Sequence, residues 1–202
     1  MKILKTNQES QKDLIRKLIS AIKKGNVIIS PTDTVYGLIA DATNEKAINK
    51  IFKIKKRNKN KPLPIFVKDI KVAKNLAYVD KEQEKFLKSV WPGKVTVVLK
   101  RRQGIKIYGV EKNTIALRVP DHKTISYLLK AISIPLVGTS ANISDKPAST
   151  EIRKIIKQFK GKKNLPDLII DAGNLKKSLP STTISLISSG LKILRKGEVK
   201  IK

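Results

Sequence analysis

Apolar residues in this chain alternate between two spacings, one that a helix buries and one that suits a short strand. Leu14, Ile15, Leu18, Ile19 and Ile22 recur at intervals of three and four, which gathers them on one helical face. Ser10 stands where an N-cap is needed and Gly25 where such a helix ends. Residues 27–29 then make a short buried strand, stopped by Pro31. The alternation continues to the end of the chain. Helices are expected at 44–52 behind Asn44, at 80–90 behind Asp80, at 124–132, and at 151–159 behind Ser149 or Thr150. Strands are expected at 64–67, 95–99, 115–119, 135–138, 168–170, 182–187 and 191–194. Ser188, Ser189 and Gly190 separate the last two and form a good three-residue hairpin loop. Helices interleaved with strands argue for an α/β fold, and the closing hairpin makes its sheet mixed. No repeat or low-complexity linker interrupts the 202 residues, so one domain over 1–202 is expected.

Composition narrows the chemistry. The chain has no cysteine, which excludes disulfides, thiolate metal sites and a cysteine nucleophile. His122 is the only histidine, so neither a multi-histidine metal site nor a serine–histidine triad is expected. No apolar run reaches the ~18–20 residues of a membrane span, and residues 1–7 lack the apolar core of a secretory signal. A cytoplasmic protein with no membrane partner is expected. Forty-four basic residues against 16 acidic ones give a net charge of +28, which attracts polyanions. A Lys-, Ile- and Asn-rich composition also follows from an AT-biased genome, so the charge leaves both readings open.

Four segments carry more polar chemistry than a connection needs. Ser30-Pro31-Thr32-Asp33-Thr34-Val35-Tyr36-Gly37-Leu38 leaves a buried strand with hydroxyls that can fix a small polar ligand, or it is an ordinary turn with a capping aspartate. Residues 53–61 hold six cations in nine positions, suited to a triphosphate or an RNA backbone, or simply to a solvated helix end. Val137-Gly138-Thr139-Ser140-Ala141-Asn142-Ile143-Ser144 allows close backbone approach and offers neutral hydrogen bonds, but it is no Walker loop, and no dinucleotide fingerprint exists in the chain. Arg118, Ser181 with Thr182 and Thr183, and Arg195 form the fourth group. An arginine beside apolar strand residues needs a carboxylate or phosphate partner, and only 16 carboxylates are available.

In order, these segments resemble the YrdC family of threonylcarbamoyl-AMP synthases. The resemblance runs from about residue 28 to 197. It rests on Pro31-Thr32-Asp33-Thr34-Val35-Tyr36-Gly37-Leu38, on Lys55 and Arg57, on Lys61-Pro62-Leu63 and on Trp91-Pro92-Gly93. Arg118-Val119-Pro120, Ser140 with Asn142, and Ser181-Thr182 complete it. The resemblance implies a single-domain, twisted, mixed α/β sheet with helices around a basic concave cavity. It implies Lys55, Arg57, Ser140 and Asn142 as the signature nucleotide-binding set, with Lys61, Thr114 and Arg195, and backbone near Ala148, as further ATP contacts. Thr34, Arg118 and Ser181 take the places that hold L-threonine, with main chain at Gly138. Phe66 stands where many relatives carry a threonine-contacting histidine, and an apolar ring cannot make that hydrogen bond.

The activity implied joins L-threonine, bicarbonate and ATP into threonylcarbamoyl-AMP and pyrophosphate, with Mg²⁺ on the phosphates and no side-chain acid, base or metal ligand assigned. The end of the chain seven residues past Arg195 matches the short type, expected to pass its product to a separate transferase complex that modifies tRNA. Direct tRNA contact stays open. Two other readings remain at this point: a non-catalytic RNA-binding, translation-associated protein, and a paralogue acting on another carbamoyl substrate. An aromatic content of 4% gives no stacked-aromatic RNA motif.

Overall fold

A computed structural model describes residues 1–188 and 190–201. Its first four α-helices begin where short polar side chains satisfy the first free amides. Helix α1 (Gln11–Lys23) is capped by the Ser10 hydroxyl, which accepts from Asp13 N, and α2 (Glu45–Lys55) by Asn44, which accepts from Ala47 N. Helix α3 (Ile70–Leu76) starts behind Asp69, and α4 (Lys81–Val90) behind a reciprocal Asp80–Gln83 capping box. Helix α5 is Lys123–Ile132, and α6 is Ile152–Phe159. The N-cap of α6 is Glu151 rather than Ser149 or Thr150; the Ser149 hydroxyl instead accepts from Glu151 N at 2.9 Å, one step before the helix.

The strands are β1 (Lys2–Lys5), β2 (Ile28–Ser30), β3 (Gly37–Asp41), β4 (Ile65–Phe66), β5 (Val95–Lys100), β6 (Thr114–Arg118), β7 (Leu136–Ser140), β8 (Leu168–Asp171), β9 (Thr182–Ser185) and β10 (Lys192–Arg195). They form one sheet in the order β1-β8-β2-β3-β7-β4-β6-β5-β9-β10. Parallel pairs such as β2·β8 and β5·β9 stand beside antiparallel ones such as β3·β7 and β9·β10, so the sheet is mixed, as expected. The closing hairpin is present, while Ser189 of its loop lies outside the described residues.

Alternation along the strands divides the core between two faces. Ile28, Ile39, Leu136 and Ile170 pack with Leu14, Leu18 and Ile22 of α1 and Ile125, Leu128 and Leu129 of α5. Their neighbours Ile29, Leu38, Val137 and Ile169 turn to the other face, against Ile48, Ile51 and Phe52 of α2 and Ile155 and Phe159 of α6. A sheet buried on both faces needs near-continuous apolar runs, which is why its strands read as short and unalternating in the sequence.

Three elements escaped the sequence reading. Strand β3 has only three apolar residues directly behind a polar turn, and α3 has seven residues, too few to show a helical period. Strand β1, Lys-Ile-Leu-Lys, exists because it pairs with β8 through Ile3↔Ile169 and Leu4↔Ile170. No helix among the described residues is long and apolar enough to cross a membrane.

Candidate active site

The turn between β2 and β3 is held by its own hydroxyls. Thr32 Oγ1 donates to Val35 O at 2.7 Å and accepts from Thr34 N at 3.1 Å. Tyr36 pins the turn to the strand ahead: its hydroxyl donates to Gly173 O at 2.7 Å and accepts from Ala172 N at 3.0 Å. Burial pushes the Tyr36 hydroxyl up to about 12, so it stays a donor throughout the physiological range. The turn is therefore rigid where Thr34 and Asp33 project from it.

Arg118, at the end of β6, is 3% exposed. Its buried guanidinium finds a carboxylate within the chain: Nη2 donates to Asp33 Oδ1 at 2.7 Å, and Asp33 Oδ2 accepts from Asp121 N at 3.1 Å. Nε donates to Gly93 O at 2.8 Å, which explains the Trp91-Pro92-Gly93 motif as a rest for this arginine. Nη1 has only a long contact, 3.4 Å, to Thr34 Oγ1. Five N–H donors fixed on one side and sparsely used on the other suit a bidentate anion, such as an α-carboxylate. Burial lowers the pKa of Arg118 and Asp33 opposes the shift, which leaves the group charged throughout the working range. Asp33 is the functional residue that sequence reasoning missed; a single buried arginine in need of a partner was the available signal.

Lys55 ends α2 and is 2% exposed. Its three ammonium protons meet three acceptors, Ser140 O at 2.6 Å, Asn142 O at 2.9 Å and Asn142 Oδ1 at 3.0 Å. Ser140 Oγ donates to the same Asn142 Oδ1 at 2.6 Å. Lys55 thus fixes the 140–142 loop, and Asn142 faces Lys55 and Ser140 rather than the cavity. Burial, aided by the positive charge of Arg57, brings the Lys55 pKa from 10.5 down to about 7. The unfolded chain keeps this proton to about 10.5, so between pH 7 and 10.5 the unfolded state binds more protons and the contribution of Lys55 to stability rises with pH. Below pH 7 it is constant. Denaturation midpoints of wild type and Lys55→Met, followed from pH 6 to 9, should therefore diverge in favour of wild type only above pH 7.

Just past α2 the chain turns through Lys56 in the left-handed region (φ 49°), which sends Arg57 away from the helix. Arg57 Nε and Nη2 donate to Lys61 O and Pro62 O, both at 2.9 Å. Arg195 holds Ser181 from β10: Nη2 donates to Ser181 O at 2.7 Å and reaches Ser181 Oγ at 3.2 Å. The residue is exposed, because β10 is a sheet edge with both faces open, contrary to the buried setting its apolar neighbours suggested. Its hydrogen bonds to Ser181 are partly buried, and desolvation lowers its pKa.

One cavity of about 100 Å³ is lined by Thr34, Arg57, Arg118, Ser140, Ser181 and Arg195 together with Phe66, Gly138 and neighbours that include Val35, Pro64 and Pro180. From β3 to β10 is six steps in the sheet order, which in a flat sheet would span about 29 Å. A shared wall for Thr34 and Arg195 requires the sheet to curl. Lys55 and Asn142 lie directly behind Ser140, and Lys61 joins only through its carbonyl. Thr114 is not brought to the wall: it opens β6, four residues and about 13 Å from Arg118, opposite Lys100. The Phe66 ring lies 5.6 Å from the Arg118 guanidinium carbon, and a Cβ at Gly138 would overlap it, so only glycine fits there.

A family model covering Sua5, YciO and YrdC, described as telomere recombination, matches residues 20–197. The chain belongs to this family. A Methanocaldococcus jannaschii relative, provisionally named a threonylcarbamoyl-AMP synthase, is 38% identical over 202 residues, covering 100% of this chain and 94% of its own. Threonylcarbamoyl-AMP synthase of Pyrococcus abyssi is 31% identical over 202 residues. The crystal structure of P. abyssi Sua5 complexed with L-threonine matches with a TM-score of 0.84 at 32% identity, over 97% of this chain and 57% of that one. This Sua5/YciO/YrdC chain spans 58% of the length of the P. abyssi synthase.

Proposed function

We propose that this chain is an L-threonylcarbamoyladenylate synthase, a nucleotidyltransferase that joins L-threonine, bicarbonate and ATP and releases pyrophosphate. The observation that carries the reading is the convergence on one small cavity of Thr34, Arg118 and Ser181, expected to hold threonine, with Arg57, Ser140 and Arg195, expected to meet phosphate. The names of the relatives support the synthase over an RNA-binding protein or a paralogue with another substrate.

In this reading Arg118 takes the threonine carboxylate, and Thr34 and Ser181 orient the rest of the amino acid. The amine and bicarbonate condense to a carbamate and water. A carbamate oxygen then bonds to the α-phosphorus of ATP while the bond to the pyrophosphate oxygen breaks. The attacking group is already an anion, so the protein needs to position and to neutralise charge rather than to abstract a proton. Arg57 and Arg195 meet the phosphates, and the loop fixed by Lys55 presents Ser140. Lys61, Thr114 and backbone near Ala148 would meet the outer parts of the nucleotide. Among the described residues no group of three or more acidic or histidine side chains is gathered to hold a metal, so Mg²⁺ would arrive on the ATP phosphates. Phe66 offers its ring face to Arg118 instead of a hydrogen bond to the substrate. The product would go to a separate transferase complex for threonylcarbamoyladenosine formation on tRNA in the cytoplasm.

The test is pyrophosphate release from ATP with L-threonine and bicarbonate added singly and together. Release is expected only with both, accompanied by threonylcarbamoyl-AMP on chromatography. Release without threonine would sink the reading.

A further inference from the structure

The cavity wall carries three guanidinium groups, Arg57, Arg118 and Arg195, and no carboxylate among its described residues. The acidic groups nearby are engaged from outside the cavity. Asp33 gives one oxygen to Arg118 and the other to Asp121 N, and Asp145 acts on Arg57. Lys55 lies behind Ser140 and, with its pKa brought to about 7, adds only part of a positive charge there at neutral pH. His122 has its pKa lowered by burial, against the opposing charges of Asp33 and Asp121. After burial, the charge of Arg195 lowers the pKa of Arg57; at Arg118 it acts the same way, behind the larger opposing effect of Asp33. An amino acid arriving as a zwitterion can place its carboxylate on Arg118. Its ammonium then meets hydroxyls and more cations, with no counter-charge.

We propose that this cavity binds its amino-acid substrate as the anion, with the carboxylate on Arg118 and the α-amine unprotonated, and so readies the amine as a nucleophile before ATP arrives. Nearby positive charge and loss of water both disfavour an ammonium, and here they act together on the group that must react. The proton leaves to solvent on binding. The freed nitrogen lone pair can then bond to the carbon of bicarbonate; the hydroxide displaced takes one amine hydrogen and departs as water, leaving the carbamate. The inference rests on the synthase reading, which needs a neutral amine only at the moment of attack, and adds that the amine is already neutral in the threonine complex.

Calorimetric titration of the full chain with L-threonine at pH 7, without ATP or bicarbonate, in two buffers of different ionisation enthalpy counts the protons released. Free threonine is largely ammonium at this pH, so release of more than about half a proton per bound threonine is expected, with Kd falling several-fold from pH 6 to 7. The analogue 2,3-dihydroxybutanoate, with a hydroxyl in place of the amine, keeps the carboxylate and side-chain hydroxyl and is expected to bind with no such release. Threonine binding without proton release overturns the inference and leaves the synthase reading standing. Equal release with the analogue also overturns it, because the proton then comes from the protein, Lys55 being the group placed to supply it. If threonine does not bind at all, the synthase reading fails and the inference falls with it.

Discussion

Asp33→Ala is expected to lower the unfolding free energy by about 3–5 kcal/mol, the range for breaking a buried ion pair from one side. The side chains of Arg118 and Asp33 are 4% and 6% exposed, so water cannot replace the lost carboxylate. Arg118 would be left buried with Gly93 O as its only close acceptor among the described residues. Threonine-dependent pyrophosphate release should vanish as well, because the guanidinium loses the contact that aims it. The double change Asp33→Leu with Arg118→Met removes both charges and should recover most of the stability and none of the activity. Urea denaturation measures the first effect. A loss below about 1 kcal/mol, the value of a surface pair, would show that Arg118 is solvated and that Asp33 does not position it.

Lys55→Ala should cost about 2–4 kcal/mol of transition-state stabilisation, a fall of roughly 30- to 1,000-fold in kcat/KM for pyrophosphate release. Lys56→Ala and Lys59→Ala, at exposed positions one and four residues further along, should change it little. All three belong to one run of cations, but only Lys55 is buried and bonded, so its loss strands Asn142 O and removes one of the two donors held by Ser140 O and by Asn142 Oδ1. Faster amide exchange across residues 140–144 should accompany the loss, which distinguishes a slackened loop from a missing phosphate contact. Equal, small effects at all three lysines would reduce the segment to a solvated helix end.

What the sequence determined by itself is whatever depends on short-range spacing. The caps Ser10, Asn44 and Asp80 lie within three residues of the amides they satisfy, and the helices behind them follow from residues one turn apart. The family motifs were equally legible, because each is a short string in a fixed order.

Tertiary structure decided which charges are buried and what they meet. Arg118 and Asp33 are separated by 85 positions, and nothing local pairs them. Lys55 reaches Ser140 across another 85. Strand β3 appears only because β2 and β7 stand on either side of it, and Arg195 is exposed only because β10 lies at the sheet edge. A side chain's neighbours along the chain fix its backbone conformation, but the cost of burying its charge depends on which distant segment folds against it.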